Sequence, residues 1–536
     1  MKKIIAIIAT IFVAFTMISC TKNYSFSLTV DSVSELRTSL VFEYTLKDKE
    51  KALTKSTVKA DLSVKGAKSV LASKTLSFST DKNAGSVTFT GLDANKDYSI
   101  RIYAGYNGKS VDLYKNDVKT TAQGTKDNPY QIAKASDFST LVKNDPSGYF
   151  ELTADIDFEG SSIAPMFTTT SVSSTSSSAF TGHFDGKNYT IKNFTYGKDG
   201  TPITLSTAYY GFFGCIADTG VVENIVLDTF NVYVAKSAKG YFGLLAGYNA
   251  GTVKNIKVLN STLNVTSSGA SVESVVGGLV AHNALSGVID GADLAADINV
   301  KCKRTTSVGG VVGYNQTTKD NNKVSNVKYT GAIDVNVENT SSSTYTATIS
   351  VGGIIGINEA TVDTATSDAT ITVKSSFEKP SSTTYDIYVG GIAGHNRSDK
   401  ALLKTATALA SFDVKSYDAL VVKVGGITGQ NGAAKAPVYA TILDCTYTAK
   451  QTSIINVTDT VELSTGLVAI DKATGEKKYN ATNAFAFHIN YFKKVVTEEG
   501  EGDNKKQVIT YEKEKEETIE YDRLGSKIEY TPDNEE

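Results

Sequence analysis

Few side chains in this sequence have types and spacings that could do chemistry. There are four histidines, His183, His282, His395 and His488. His282 and His395 occupy the same place in a repeated motif, each directly before an asparagine. That place also holds Tyr248, Tyr314, Ile357 and Gln430, and a position so permissive is expected to face outward. The two histidines stand three repeats apart, which at one coil per repeat and ~4.8 Å per coil is ~14 Å. A shared metal with bonds of ~2 Å would not reach both. No His-Glu-x-x-His pair occurs. Asp155 and Asp157 are two apart in a strand-like run and share a face. They are candidates for calcium ligands or an acid/base pair, or alternatively for a turn-stabilising cap. Asp185-Gly186 reads first as a turn. Tyr248 and Tyr314 are either platforms for sugar rings or ordinary surface tyrosines. No Gly-x-Ser-x-Gly elbow, phosphate loop or Cys-His arrangement is present. The expectation is a chain with no catalytic residues, no metal and no cofactor.

These residues hang on a repeat. Gly277, Gly278 and Asn283 frame the run Val-Gly-Gly-Leu-Val-Ala-His-Asn. The frame recurs as Gly309, Gly310 and Asn315, as Gly352, Gly353 and Asn358, as Gly390, Gly391 and Asn396, and as Gly425, Gly426 and Asn431. Phe242 to Asn249 is a weaker copy, and Gly211 to Gly214 weaker still. Most copies are followed by a short alternating run rich in Val, Ile and Thr, such as Gly251 to Val258 or Lys323 to Tyr329. Such runs read as strands. Several short strands in fixed order, with variable Ser/Thr-rich loops, predict a parallel β-solenoid. Glycine pairs suit a corner where the chain turns sharply or where coils approach closely. Each asparagine is expected to stack on its neighbours or to cap a turn.

The ends read differently. Lys2 and Lys3 precede an uncharged run from Ile4 to Ile18, a secretory signal rather than a membrane span. Its close, Met17-Ile18-Ser19-Cys20, resembles the bacterial lipobox. That resemblance implies removal of residues 1–19 and lipidation of Cys20, with membrane anchoring through the lipid. Cys215, Cys302 and Cys445 are an odd number of distant cysteines, expected to be buried and unbridged. Residues 20–123 alternate like a β-sandwich. The turn from Gly91 feeds Tyr98, Ile100 and Ile102, which resembles the fibronectin type III pattern with its corner tyrosine. Phe42 or Tyr44 would replace the usual core tryptophan, because the chain has none. Its expected role is a spacer between membrane and solenoid, with a ligand-binding sandwich as the alternative.

Residues 124–450 resemble the GLUG-motif repeats of bacterial adhesin-like surface lipoproteins. The lead-in also matches: Gly124 to Ile132, Tyr149 to Asp157, Phe180 to Gly186 and Tyr189 to Ile191. This implies an N-terminal cap and first coil over 124–200, repeats over 201–470, and adhesion to a host protein or glycan. From Lys493 to Glu536 there are 8 basic and 14 acidic residues, and two strand-like runs there predict a hairpin. Residues 471–536 are therefore a charged C-terminal cap or hairpin. With 54 basic and 57 acidic residues in all, no field favours nucleic acid. The expectation is an all-β protein: an N-terminal β-sandwich, then a parallel β-helix with a C-terminal β cap. It would be an outer-membrane lipoprotein of the cell envelope, facing the surface or the periplasm. A polysaccharide-binding or polysaccharide-cleaving β-helix is the alternative.

Overall fold

The structure is a computed structural model. It describes residues 26–168, 178–267, 273–316, 322–338, 346–376, 384–417, 419–432, 440–448, 452–458, 462–465, 469–470, 477–478, 485–499, 506–521 and 527–528. Cys20 and the signal segment lie outside the described residues. The chain divides into two compact units between Thr121 and Ala122.

In the first unit, strands Phe26–Glu35, Ser39–Asp48 and Ala84–Thr90 form a three-stranded antiparallel sheet. Strands Ala72–Thr75, Val58–Val64, Asp97–Tyr106 and Lys109–Lys119 form a four-stranded one. Alternate residues of both sheets meet in one core that includes Phe42, Tyr44, Phe89, Ile100 and Ile102. Phe42 and Tyr44 are both fully buried there. Tyr98 is buried too, and its hydroxyl accepts the Asp93 N–H at 2.9 Å. The side chain thus pins the turn that precedes its own strand.

The second unit is a stacked series of parallel coils that contribute to three sheets. The leading sheet has eight parallel strands, among them Ser274–Gly277, Thr306–Gly309, Thr346–Gly352, Thr384–Gly390 and Val421–Gly425. The trailing sheet has seven, among them Ala246–Asn249, Val280–Asn283, Val312–Asn315, Ile355–Asn358, Ala393–Asn396 and Thr428–Asn431. Each glycine motif therefore spans two sheets and the corner between them. The long sheet carries Thr252–Ser267, Val288–Cys302, Lys323–Glu338 and Thr361–Ser376, paired in parallel register.

Both uses foreseen for the glycine pairs occur, one per glycine. A Cβ on the first glycine (Gly277, Gly309, Gly352 or Gly390) would strike the carbonyl three residues further along its own motif. That is the tight corner. A Cβ on the second (Gly278, Gly310, Gly353 or Gly391) would strike the carbonyl of the second glycine in the next coil. That is the close approach of stacked coils.

The interior changes along the stack. The first coils are filled by stacked and edge-on rings, including Phe138, Phe150, Phe184, Phe194, Phe212 and Phe213. Later coils are filled mainly by Val, Ile, Leu and Ala, with single buried rings such as Tyr329, Tyr385 and Tyr447. At the far end, Phe485–Glu499 joins the long sheet in parallel beside Ser453–Thr458, then folds back antiparallel on Lys506–Tyr521. The expected hairpin is present, and charged side chains from Glu512 to Glu517 line its outer strand. Among the described residues no helix is long and apolar enough to cross a membrane. Cys215, Cys302 and Cys445 are buried, and burial pushes the Cys302 thiol up to about 12.

Candidate functional site

The recurring asparagines build a structural ladder. Asn249, Asn283, Asn315, Asn358 and Asn396 have 0% exposure. In each, Nδ2 donates to the Oδ1 of the asparagine one coil on: Asn249 to Asn283 at 2.8 Å, Asn283 to Asn315 at 3.0 Å and Asn315 to Asn358 at 2.9 Å. Asn358 continues to Asn396 at 2.9 Å and Asn396 to Asn431 at 2.8 Å. The same side chains cap the turn that follows. Asn249 Oδ1 accepts the Gly251 N–H at 3.2 Å, and Asn358 Oδ1 accepts the Ala360 N–H at 3.3 Å. Buried amides stay satisfied only while this ladder is continuous.

The position beside the ladder is not open, as its variability suggested. His282 and His395 are only 8% and 7% exposed. Stacking covers them: the His282 ring lies between Tyr241, at 5.4 Å, and Tyr314, at 5.0 Å and nearly coplanar, with Tyr248 edge-on. Tyr209 extends the stack at 4.7 Å from Tyr241, and the Arg397 guanidinium sits over the Tyr314 ring. Ring faces are thus occupied by one another, so Tyr248 and Tyr314 act as cross-coil braces rather than as sugar platforms. Burial lowers both imidazoles to about 4. In register, His282 pairs with Tyr314, Tyr314 with Ile357, and Ile357 with His395, so three coil steps separate the two histidines.

Asp155 and Asp157 serve turns and coil contacts. Asp155 Oδ1 accepts the Thr190 N–H at 2.8 Å. Asp157 Oδ1 accepts the Asn193 amide at 2.9 Å and the Glu159 N–H at 2.8 Å, which together hold its carboxyl below the usual range.

The structure assembles a different acidic row, one the sequence did not reveal. Glu151, Asp185 and Glu223 lie opposite one another on three adjacent coils. Lys187 Nζ bridges Glu151 at 3.0 Å and Asp185 at 2.9 Å, and His183 Nε2 meets Glu223 Oε1 at 2.8 Å. Burial alone would push the Asp185 carboxyl up. Hydrogen bonds from Asn224 and Lys187 outweigh it and hold the group low. Successive carboxylates of the row are 34 and 38 residues apart in sequence, so only the coil register brings them together.

A second unforeseen feature repeats on the long sheet. Asn224, Asn255, Gly291, Asn326, Thr364, Thr405 and Asp444 all have φ between +50° and +75°. One such residue per coil breaks the strand's alternation. Val253 and Ile256, three apart, both point inward, while Lys254 and Lys257 both point out. The signal was a recurring small or amide residue directly before an apolar one.

Among the described residues, no group of three His, Cys, Asp or Glu is placed to hold a metal ion. No protein-family model matches the chain. Among curated proteins it is similar to Halomucin of Haloquadratum walsbyi, at 27% identity over 213 residues. The match covers 38% of this chain and only 2% of Halomucin's length. Among solved structures it aligns with a family 28 exopolygalacturonase of Yersinia enterocolitica at 9% identity and a TM-score of 0.20. The alignment covers 78% of this chain and 98% of that one. So low a score transfers no activity; the β-helix is defined by the chain's own strand register.

Proposed function

We propose that the protein is a lipid-anchored component of the bacterial cell envelope, of the GLUG-motif kind, that works by binding rather than by catalysis. In this reading Cys20 carries the lipid, the N-terminal fibronectin type III-like sandwich spaces the solenoid from the membrane, and the solenoid is an adhesin surface for host protein or glycan. The observation that supports it is the outer face of the long sheet. There, Lys254, Asp290, Ser325 and Asp363 form one row across coils, and Lys257, Asp293, Lys328 and Thr366 form another. Rows of polar groups repeating at coil spacing suit a repetitive partner. The test has two arms. Metabolic labelling with a fatty-acid analogue should tag the chain and not its Cys20→Ser variant. The full chain, purified in detergent, should be retained by host matrix proteins or glycans; silence across such a panel would count against the reading.

A second reading, a polysaccharide-cleaving β-helix, is favoured by the row Glu151, Asp185 and Glu223 with His183 beside it. Carboxylates on adjacent coils are the arrangement that glycoside hydrolysis needs. It requires measurable cleavage of a glycan that disappears in Asp185→Asn or Glu223→Gln. Asp155→Asn should leave any such cleavage intact.

A further inference from the structure

The left-handed row interrupts the strands of the long sheet at the same place on successive coils. Along it runs a groove of about 310 Å³ across three coils, lined by Asn255, Lys257, Gly291, Asp293, Asn326 and Lys328. Its floor is the apolar row Ile256, Ala292 and Val327, buried beneath the backbone. Its left-handed edge carries side-chain amides that are only partly used. Asn255 Nδ2 donates to Asn224 Oδ1 at 3.0 Å, and Asn326 Nδ2 donates to Asp290 Oδ1 at 2.6 Å. The opposite edge carries Lys257, Asp293 and Lys328, directly opposite one another on successive strands and exposed. Asp290 is engaged by Ser325 and Asn326, whereas the lysines project freely from the face.

We infer that this groove binds a linear acidic polysaccharide laid along the stack, with about one sugar unit per coil. The argument rests on the binding reading above and assigns its surface and its ligand class. The groove runs perpendicular to the strands, so coils succeed one another every ~4.8 Å, comparable to the length of one pyranose unit, and the two lysines stand two coils (~9.6 Å) apart with Asp293 between them. Amides and a carboxylate suit sugar hydroxyls, and two lysines flanking one aspartate leave a net positive lining that suits uronate carboxylates. A polymer engages three coils at once, so weak contacts combine.

Affinity electrophoresis of the full chain in gels containing alginate, a linear uronate polymer, tests this. Wild type should be retarded by alginate and little affected by hydroxyethylcellulose, which is neutral. Lys257→Ala with Lys328→Ala should weaken retardation by roughly tenfold, the scale expected for two exposed charge contacts. Lys59→Ala with Lys109→Ala, which removes the same charge from the sandwich, should not. Asn255→Gly keeps the left-handed backbone while removing the amide, and should also weaken retardation. Circular dichroism melts of every variant should match wild type. Equal retardation in the two gels, or a groove variant indistinguishable from wild type, overturns the proposal. If alginate fails while the full chain still binds another partner, the groove assignment falls and the binding reading stands. If every partner fails, both fall.

Discussion

Asn315 is bonded above and below through its side chain and has no exposed surface. Asn315→Ala removes one hydrogen bond from each of two fully buried amides, Asn283 and Asn358, and leaves a void between them, so the expected loss is about 2–4 kcal/mol. Asn431 ends the ladder and is partly exposed. Asn431→Ala should cost about 1 kcal/mol or less. Urea denaturation of both variants checks the contrast. His282 and His395 make a second residue-scale prediction. Unfolded, each titrates near 6.5, and folded, near 4, because burial penalises the imidazolium. Between those values the unfolded chain takes up protons that the folded chain refuses, so stability falls as pH drops through that window and levels off below it. The loss is at most about 3 kcal/mol per histidine. His282→Gln should flatten part of the slope in a series of urea midpoints against pH.

At the scale of the strand, the left-handed positions are not equally comfortable. Asparagine and glycine tolerate that conformation, but Thr364 and Thr405 are β-branched and hold φ of +56° and +52°. Thr364→Asn and Thr405→Asn should each stabilise by about 1 kcal/mol, seen as a raised melting temperature. The close approach of stacked coils sets the opposite limit. Gly310→Ala would press a methyl against the Gly353 carbonyl and the Tyr329 ring, and should lower the melting temperature markedly. The glycine corners and the asparagine ladder were legible in the sequence because each is a fixed residue type at a fixed place in the repeated motif. The left-handed row was not, because Asn, Gly, Thr and Asp alternate there and the backbone, not the residue type, is what repeats. The burial of His282 was hidden because its cover comes from Tyr241 and Tyr314, one coil away on either side. Likewise, loops of unequal length concealed that Glu151, Asp185 and Glu223 would align.

For the molecule as a whole, nearest-neighbour stacking predicts that coils are removable units. Deleting residues 284–315 removes one full coil and joins Asn283 to Gln316, keeping all three sheets and the ladder in register. That variant should retain its β circular dichroism spectrum and unfold cooperatively. Deleting half as many residues should not, because the remaining half-coil has no register that satisfies the asparagines. The N-terminal phenylalanine cluster and the C-terminal hairpin bound the array. Replacing Phe138 and Phe184 by Ala should therefore loosen the first coils before the later ones, as hydrogen exchange would show.

The asparagine ladder also has a direction. Every one of its five links runs with the donor on the earlier coil and the acceptor on the later one. Aligned amide dipoles in such a file add, and each link polarises the next. At the start of the file the Asn249 Oδ1 accepts the Gly251 N–H, and the last donor, from Asn431, goes to the Ala440 carbonyl. The protein interior therefore carries an electrical axis with its positive pole toward the C-terminal coils. Each finished coil offers the next an oriented hydrogen rather than a lone pair, so assembly of the stack has a built-in polarity matching the order in which the ribosome delivers it.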